Sequence, residues 1–340
     1  MTLPTPSPAQ LTVFVFGPGT GELIAVRSPE NQWLIVDGCG PASRPDALQL
    51  LAHYKAQPSF VVLTHPHRDH AMGLAQAIED WCPEGAQDRW PVLGMLLPPA
   101  PSHGAPLDDP QGTLQRGVTE RAIAAILDRW RRHAPCKWEM AAGDVHHLGA
   151  ASFTVLAPEA AEVQAARQSK VGFDENRLST VLSLQWGGHR VVLGSDLAAG
   201  WPQVRQRDPS VHDHQLLKVP HHGSRPALHE SLLTSTGSRR TWIVTPFASG
   251  KLPRFDADGG IAFMHTFEEE VVLTSLPRAR NAQGGPPGAS ASRANLEAGP
   301  STWTSDPPAP TFPGCFVAVL LTAGEPPTHH YGPGAMRVAR

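Results

Sequence analysis

The chain reads as an α/β protein. Short apolar, strand-forming runs recur from residue 11 to residue 275, helical spacing appears between several of them, and three of the runs stop abruptly at histidine or aspartate. Polar side chains gathered at the C-terminal ends of strands mark the edge where α/β folds place ligands.

Leu11–Phe16 alternates and is rich in strand formers. A Gly/Pro turn over 17–21 leads to Leu23–Val26, and a second turn to Trp33–Gly38, which predicts a meander of three short strands. Ala47–Tyr54 fits a helix, Phe60–Thr64 a buried strand, and Ala71–Ile78 a helix packing its apolar positions back onto the sheet. From 82 to 144 the pattern is less regular. Val92–Leu97 reads as a strand, Pro98–Pro110 as a Pro-rich loop, and Gln115–His133 as a helix with Val118, Ile123, Ile126, Leu127 and Trp130 on one side. This stretch is expected to be an insertion near the site.

A second β-rich half begins near His147. Strands are expected at Ser152–Ala157, Thr180–Trp186 and Arg190–Gly194, with Gly187-Gly188 as the hairpin turn between the last two. Leu216–Pro220 and Thr241–Thr245 follow, separated by a helical Pro226–Ser235, and Val271–Ser275 closes the sheet. Residues 278–313 are rich in Gly, Pro, Ser and Ala and are expected to be irregular, before Gly314–Leu321 recovers strand character. The expected organisation is one domain over 1–277 and a C-terminal extension over 278–340 with one strand.

The 340 residues are 41% apolar, enough for one large or two small cores. A net charge of −3 excludes a globally basic, polyanion-binding surface, so any grip on nucleic acid has to be local. The arginines of the inserted helix, Arg129, Arg131 and Arg132, are first read as a solvated face, with a nucleic-acid track as the alternative. Cys39, Cys82, Cys136 and Cys315 form no paired motif, which points to a reducing cytoplasm. Met1–Gln10 lacks the pattern of a signal peptide, and no apolar run approaches the ~18 residues of a membrane span.

The chemistry concentrates in Thr64-His65-Pro66-His67-Arg68-Asp69-His70, directly after the strand Phe60–Leu63. Three imidazoles and a carboxylate in such proximity must be desolvated, paired or exposed, and a bound divalent metal resolves all three demands. His65 and His67, two apart, can point the same way from extended backbone. Asp69 and His70, beyond the turn, can face a second ion. Two further strands end in donors: Val191–Leu193 runs into Gly194-Ser195-Asp196, and Leu216–Pro220 into His221-His222-Gly223-Ser224. Asp196 is expected to bridge two ions, although Ser195 or Asp196 as a helix cap is the competing reading. His221 is expected to be the second ion's imidazole and His222 to act on the scissile group, with the two assignments interchangeable. The remaining histidines, including His146, His147, His212, His214, His329 and His330, are read as surface or packed residues.

With its His65-x-His67-x-Asp69-His70 signature, the chain resembles the metallo-β-lactamase superfamily. Within it, the chain is most similar to the hydrolase domain of competence DNA-uptake channel proteins. The likeness runs over about residues 11 to 250 in motif order, through Glu175–Leu182, Gly194-Ser195-Asp196 and Lys218–Ser224. It implies an αββα sandwich with two divalent ions, zinc or manganese, along one edge. It also implies Asp37 as the carboxylate orienting a ligand histidine, and Asn176 where the superfamily has its third-motif histidine. With Asn176 in that place the first ion is left with His65, His67, Asp196 and water, and Phe16–Glu22 separately departs from the acidic opening motif of that subgroup.

Metal-dependent hydrolysis of a phosphodiester in nucleic acid or a nucleotide is the expected function. Asp69 and His222 are the expected catalytic groups, and Lys218 or Ser224 the groups near a phosphate oxygen. The alternatives are a lactone, thioester or amide substrate, or a role as one subunit of a multi-protein bacterial system, such as antiphage defence, with a protein partner engaged through the C-terminal extension.

Overall fold

The apolar alternation of residues 10–36 folds into an antiparallel meander of β1 (Gln10–Phe16), β2 (Leu23–Arg27) and β3 (Trp33–Val36). The computed structural model describes residues 3–17, 21–40, 45–96, 118–168, 175–234, 240–247, 252–267, 269–275, 296–298, 315–332 and 335–338. After α1 (Asp46–His53) the chain returns parallel to β3 as β4 (Phe60–Leu63). It continues through α2 (Arg68–Ala71), α3 (Leu74–Trp81), β5 (Val92–Met95), α4 (Val118–Arg132) and β6 (Lys137–Glu139).

The second sheet starts with β7 (Val145–Leu148) and β8 (Ala151–Ala157). After α5 (Ala160–Gln168) comes the hairpin β9 (Val181–Trp186) and β10 (His189–Leu193). A parallel run follows, with β11 (Leu216–Lys218) reached through α6 (Trp201–Arg207), β12 (Thr241–Val244) through α7 (Glu230–Leu233), and β13 (Glu270–Leu273) through α8 (Gly260–His265). β14 (Leu296–Ala298), β15 (Phe316–Thr322), β16 (Thr328–Tyr331) and β17 (Met336–Val338) complete the described strands. The sheet orders are β16-β15-β1-β2-β3-β4-β5-β6 and β14-β17-β13-β12-β11-β10-β9-β8-β7.

Side-chain alternation sorts each strand between two apolar layers. Phe14, Phe16, Trp33 and Ile35 pack outward with Leu50, Ile78 and Ile126 of the helices. Val13, Val15, Ile24 and Leu34 point the other way and meet Phe153, Leu184, Val191 and Ile243 of the second sheet. On that sheet's outer side Val192, Leu217 and Trp242 pack with Trp201, Leu232 and Met264. The result is two mixed sheets face to face with helices on both outer faces, the αββα layering.

Three expectations are corrected. Residues 82–144 are not an insertion in their described part: β5 and β6 extend the parallel run of the first sheet, and α4 buries Ala122, Ile123, Ile126 and Trp130 on it. Arg129 donates to the Cys82 carbonyl and pairs with Asp128, and Arg132 pairs with Glu84 and Asp128, so both serve contacts within the fold. The predicted helix 71–78 is interrupted, because Met72 is extended and Gly73 takes φ +77°. The predicted helix 226–235 likewise breaks at Leu228, and His229 caps a new turn by accepting from the Ser231 N–H.

The C-terminal region holds more than one strand. β15 pairs with all seven residues of β1, from Gln10↔Thr322 to Phe16↔Phe316, and β16 covers its other edge. β17 crosses to the second sheet beside β13, where Arg337 and Tyr331 bond to Glu270. β16 is polar and β17 is only three residues long, so neither carries enough alternation to reveal a strand. The expected loop 98–110 and most of the irregular stretch 278–313 lie outside the described residues.

Buried Val317, Val319 and Leu321 fill the inter-sheet layer, and Phe316 and Ala318 the outer one. A chain ending at residue 314 is therefore expected to lose cooperative thermal unfolding, as followed by circular dichroism. Retention of a sharp transition would show that β15 is dispensable.

His214, read from the sequence as a surface or packed residue, is buried at the base of the second sheet. Its Nδ1–H donates to the Val211 carbonyl (2.9 Å), and its Nε2 accepts from Trp242 Nε1 (3.2 Å). Burial pushes its pKa from 6.5 down to about 3. Below pH 6.5 the unfolded chain takes up a proton that the folded state refuses until about pH 3. The contribution of His214 to stability is thus complete above that window and lost as the pH falls through it, at no more than about 1.4 kcal/mol per pH unit. Denaturant titrations between pH 7 and pH 4 should show a shallower loss in His214→Gln than in the parent; equal slopes would refute the assignment.

Candidate metal centre

Five strands deliver polar residues to one edge. β3 ends at Asp37, β4 at Thr64 and His65, β10 at Ser195 and Asp196, β11 at Lys218 with His221 and His222 beyond it, and β12 at Thr245. The backbone is bent sharply there. Asp37 (φ 61°), Ser195 (44°), His221 (47°) and His222 (51°) are in the left-handed region. Non-glycine residues occupy it at a cost of about 1–3 kcal/mol each. Such strain is tolerated where the surrounding contacts demand a particular side-chain direction.

Hydrogen bonds fix those directions. His70 Nδ1 lies 2.6 Å from Asp37 Oδ2, and as a carboxylate only accepts, the proton is on Nδ1. Asp37 also accepts from the Thr64 N–H (2.8 Å) and Thr64 Oγ1 (2.7 Å). Thr64 Oγ1 in turn accepts from Ser195 Oγ (2.8 Å) and faces His65 Nδ1 at 3.1 Å, which makes that nitrogen a donor as well. His222 Nδ1 donates to the Thr245 carbonyl at 2.9 Å. All three imidazoles therefore turn Nε2 toward the same two carboxylates.

Those carboxylates are Asp196 and Asp69. His70 Nε2 stands 3.4 Å from Asp196 Oδ1 and 3.8 Å from Asp69 Oδ2. His65 Nε2 is 3.8 Å from Asp196 Oδ2, and His222 Nε2 is 3.0 Å from Asp69 Oδ2. His65 Nε2, His70 Nε2 and Asp196 Oδ1 are buried without a hydrogen-bond partner. Lone pairs facing carboxylate oxygens in a dry site need a cation between them. Two donors each roughly 2.1 Å from one tetrahedral zinc lie about 3.4 Å apart, so the spacing suits an ion.

Among the described residues the donors form two such groups joined at Asp196: Asp69, His70, Asp196 and His222 in one, and His65, His67 and Asp196 in the other. Glu22, Asp37 and His70 form a third, wholly buried group behind them.

Electrostatics follow from burial and proximity. Burial holds His65 well below its ordinary pKa, hence neutral. Burial opposes charge on His70 too, but Asp196 and Asp37 outweigh it and raise the ring well above the usual value. Burial likewise works against charge on Asp69 and Asp196. A hydrogen bond from His222 and the charge of His70 hold Asp69 below the carboxylate range, and His70 does the same for Asp196. The cavity thus gathers positive charge, whether a proton or a metal.

Of the residues singled out in the sequence, His65, His67, Asp69, His70, Asp196 and His222 converge, with Asp37 behind His70. His222 replaces His221 as the donor. The left-handed backbone at both positions sends their rings apart, and His221 lies half-buried outside the groups. Lys218, expected near a phosphate oxygen, is buried and paired with Glu22 Oε2 at 2.5 Å. Ser224 bonds through its N–H to the His221 carbonyl, and Asn176 sits in a single 3₁₀ turn, Glu175–Leu178; neither belongs to the groups. The sequence reading missed Glu22, Thr64 and Thr245. The only trace of Glu22 was an acidic residue standing directly before an apolar strand.

No family model matches the chain, and no curated protein matches it. Similar solved structures include the metallo-β-lactamase fold protein YhfI from Bacillus subtilis, with 17% identity, 77% of this chain and 96% of that one covered, and a TM-score of 0.41. Zn²⁺-bound PqqB from Methylobacterium extorquens is 14% identical over 75% of this chain and 86% of its own, with a TM-score of 0.40. A B3 metallo-β-lactamase with an active-site glutamic acid is 17% identical over 66% and 80%, with a TM-score of 0.38. At such identities the chemistry has to come from the donor set itself.

Metal content separates the two adjacent histidines. His222→Ala should lose bound zinc on elemental analysis after dialysis, while His221→Ala retains it; the reverse would reinstate His221. Asp37→Asn, which removes the charge behind His70, should weaken zinc binding roughly 10–100-fold in a chelator competition without unfolding the protein.

Proposed function

We propose that the protein is a metal-dependent hydrolase of phosphodiester bonds in nucleic acid or a nucleotide, loaded with two zinc or manganese ions. The observation that carries this reading is the convergence of imidazole lone pairs and carboxylates on Asp196, with buried donor atoms that have no other partner. Bound there, the ions supply a water of lowered pKa and offset the charge that grows on phosphoryl oxygens.

The chain's own residues do the rest. Asp69, kept ionised by His222 and His70, remains an acceptor throughout the neutral range and fixes His222 at 3.0 Å. Asp37 holds the His70 proton on Nδ1, so the ring cannot turn. His221, outside the donor groups, is half-buried beside them. Burial lowers the His221 pKa, so this ring is neutral and offers one N–H to a leaving oxygen and one lone pair to a proton.

A second reading, cleavage of a lactone, thioester or amide, is favoured by one observation. Lys218, the cation assigned to the phosphate, is consumed by Glu22. Among the described residues no helix is long and apolar enough to cross a membrane.

The zinc- or manganese-loaded protein should turn over bis-p-nitrophenyl phosphate and at least one of DNA, RNA or a cyclic nucleotide. EDTA should abolish this and added metal restore it, and Asp196→Ala should reduce the rate at least about 100-fold. Faster turnover of an acyl-lactone or nitrocefin would favour the second reading, and full activity without metal would overturn both.

A further inference from the structure

The ion pair of Glu22 and Lys218 is fully buried. Two charges are withdrawn from water completely, and a well-packed apolar pair usually stabilises a fold as well or better. Its hydrogen bonds suggest another role. Glu22 Oε2 also accepts from Thr245 Oγ1 at 2.6 Å, and the carbonyl of the same threonine accepts from His222 Nδ1. Lys218 Nζ donates to the Ser195 carbonyl at 3.3 Å, directly before Asp196. The Glu22 N–H donates to the Asp69 carbonyl at 2.7 Å. One pair thus reaches three metal donors by three routes, touching none of their coordinating atoms.

The geometry explains why a salt bridge stands here. Glu22 opens β2 in the first sheet, whereas Lys218, Thr245 and Ser195 belong to the second. Asp69 and His222 meet across the same seam. A bond with fixed direction and length sets the separation of the two sheets at the point where donors from both must share an ion.

We propose that Glu22 and Lys218 are positioning residues that hold His222, Asp196 and Asp69 in register, so that metal affinity depends on a buried charge pair outside the two donor groups joined at Asp196. This rests on the metal reading above.

The test uses zinc affinity in a chromophoric-chelator competition, together with ¹⁵N NMR of the His222 ring. A single replacement strands a buried charge, so the informative variant is Glu22→Met/Lys218→Met, which removes both. It should melt cooperatively but bind zinc at least tenfold more weakly than the parent, and its His222 Nδ1–H should lose protection from exchange. Thr245→Val keeps the ion pair and removes the hydroxyl that links Glu22 to the histidine route and that also stands 3.2 Å from His222 Nδ1; a several-fold loss is expected, and parental affinity in this variant overturns the proposal even if the double variant does not fold. Parental affinity and an unchanged His222 ring in a folded double variant, or in Thr245→Val, would overturn the proposal. A parent protein that binds no zinc would instead overturn the metal reading.

Discussion

One buried carboxylate sets the terms for the whole site. Asp196 is almost inaccessible to solvent, and it faces the lone pairs of His65 and His70. An isolated charge in that position costs several kcal/mol, more than most single contacts contribute. Its surroundings are therefore arranged to supply positive charge and to prevent any relaxation that would give it another partner. The left-handed residues at strand ends, the hydroxyl chain from Ser195 through Thr64 to Asp37, and the proton fixed on each Nδ1 are parts of one solution to that problem.

How much of this was legible in the sequence depended on how local each signal was. The cluster from His65 to His70 announces itself because its donors are neighbours in the chain and follow an apolar strand. Asp196 and the histidine pair were found by the same form, a strand that ends in a donor. The choice between His221 and His222 was not legible, since it turns on two left-handed backbone torsions that no side-chain pattern encodes. Lys218 was misjudged for a related reason: a lysine in a ligand motif looks like a substrate contact until its partner is known. That partner, Glu22, is almost two hundred positions earlier in the chain.

The layers were readable from alternation and apolar runs, and the errors cluster where strands are short or polar. β5 and β6 were placed in an insertion because masses of proline separate β5 from the helix that follows. β16 and β17 give no readable pattern, being four and three residues long, the first of them largely polar. Their place is decided by neighbours already in position, which is tertiary context overriding local propensity.

The pairing of β1 with β15 joins residues more than three hundred positions apart. For a chain made on a ribosome at about 5–20 residues per second, the first strand waits roughly 15–60 s for its neighbour. During that interval β1, whose side chains are apolar on both faces, presents an unpaired edge of the kind that recruits strands from other molecules. Nascent chains of this protein are thus most exposed to aggregation before β15 emerges, when a holding chaperone that shields the N-terminal meander would act.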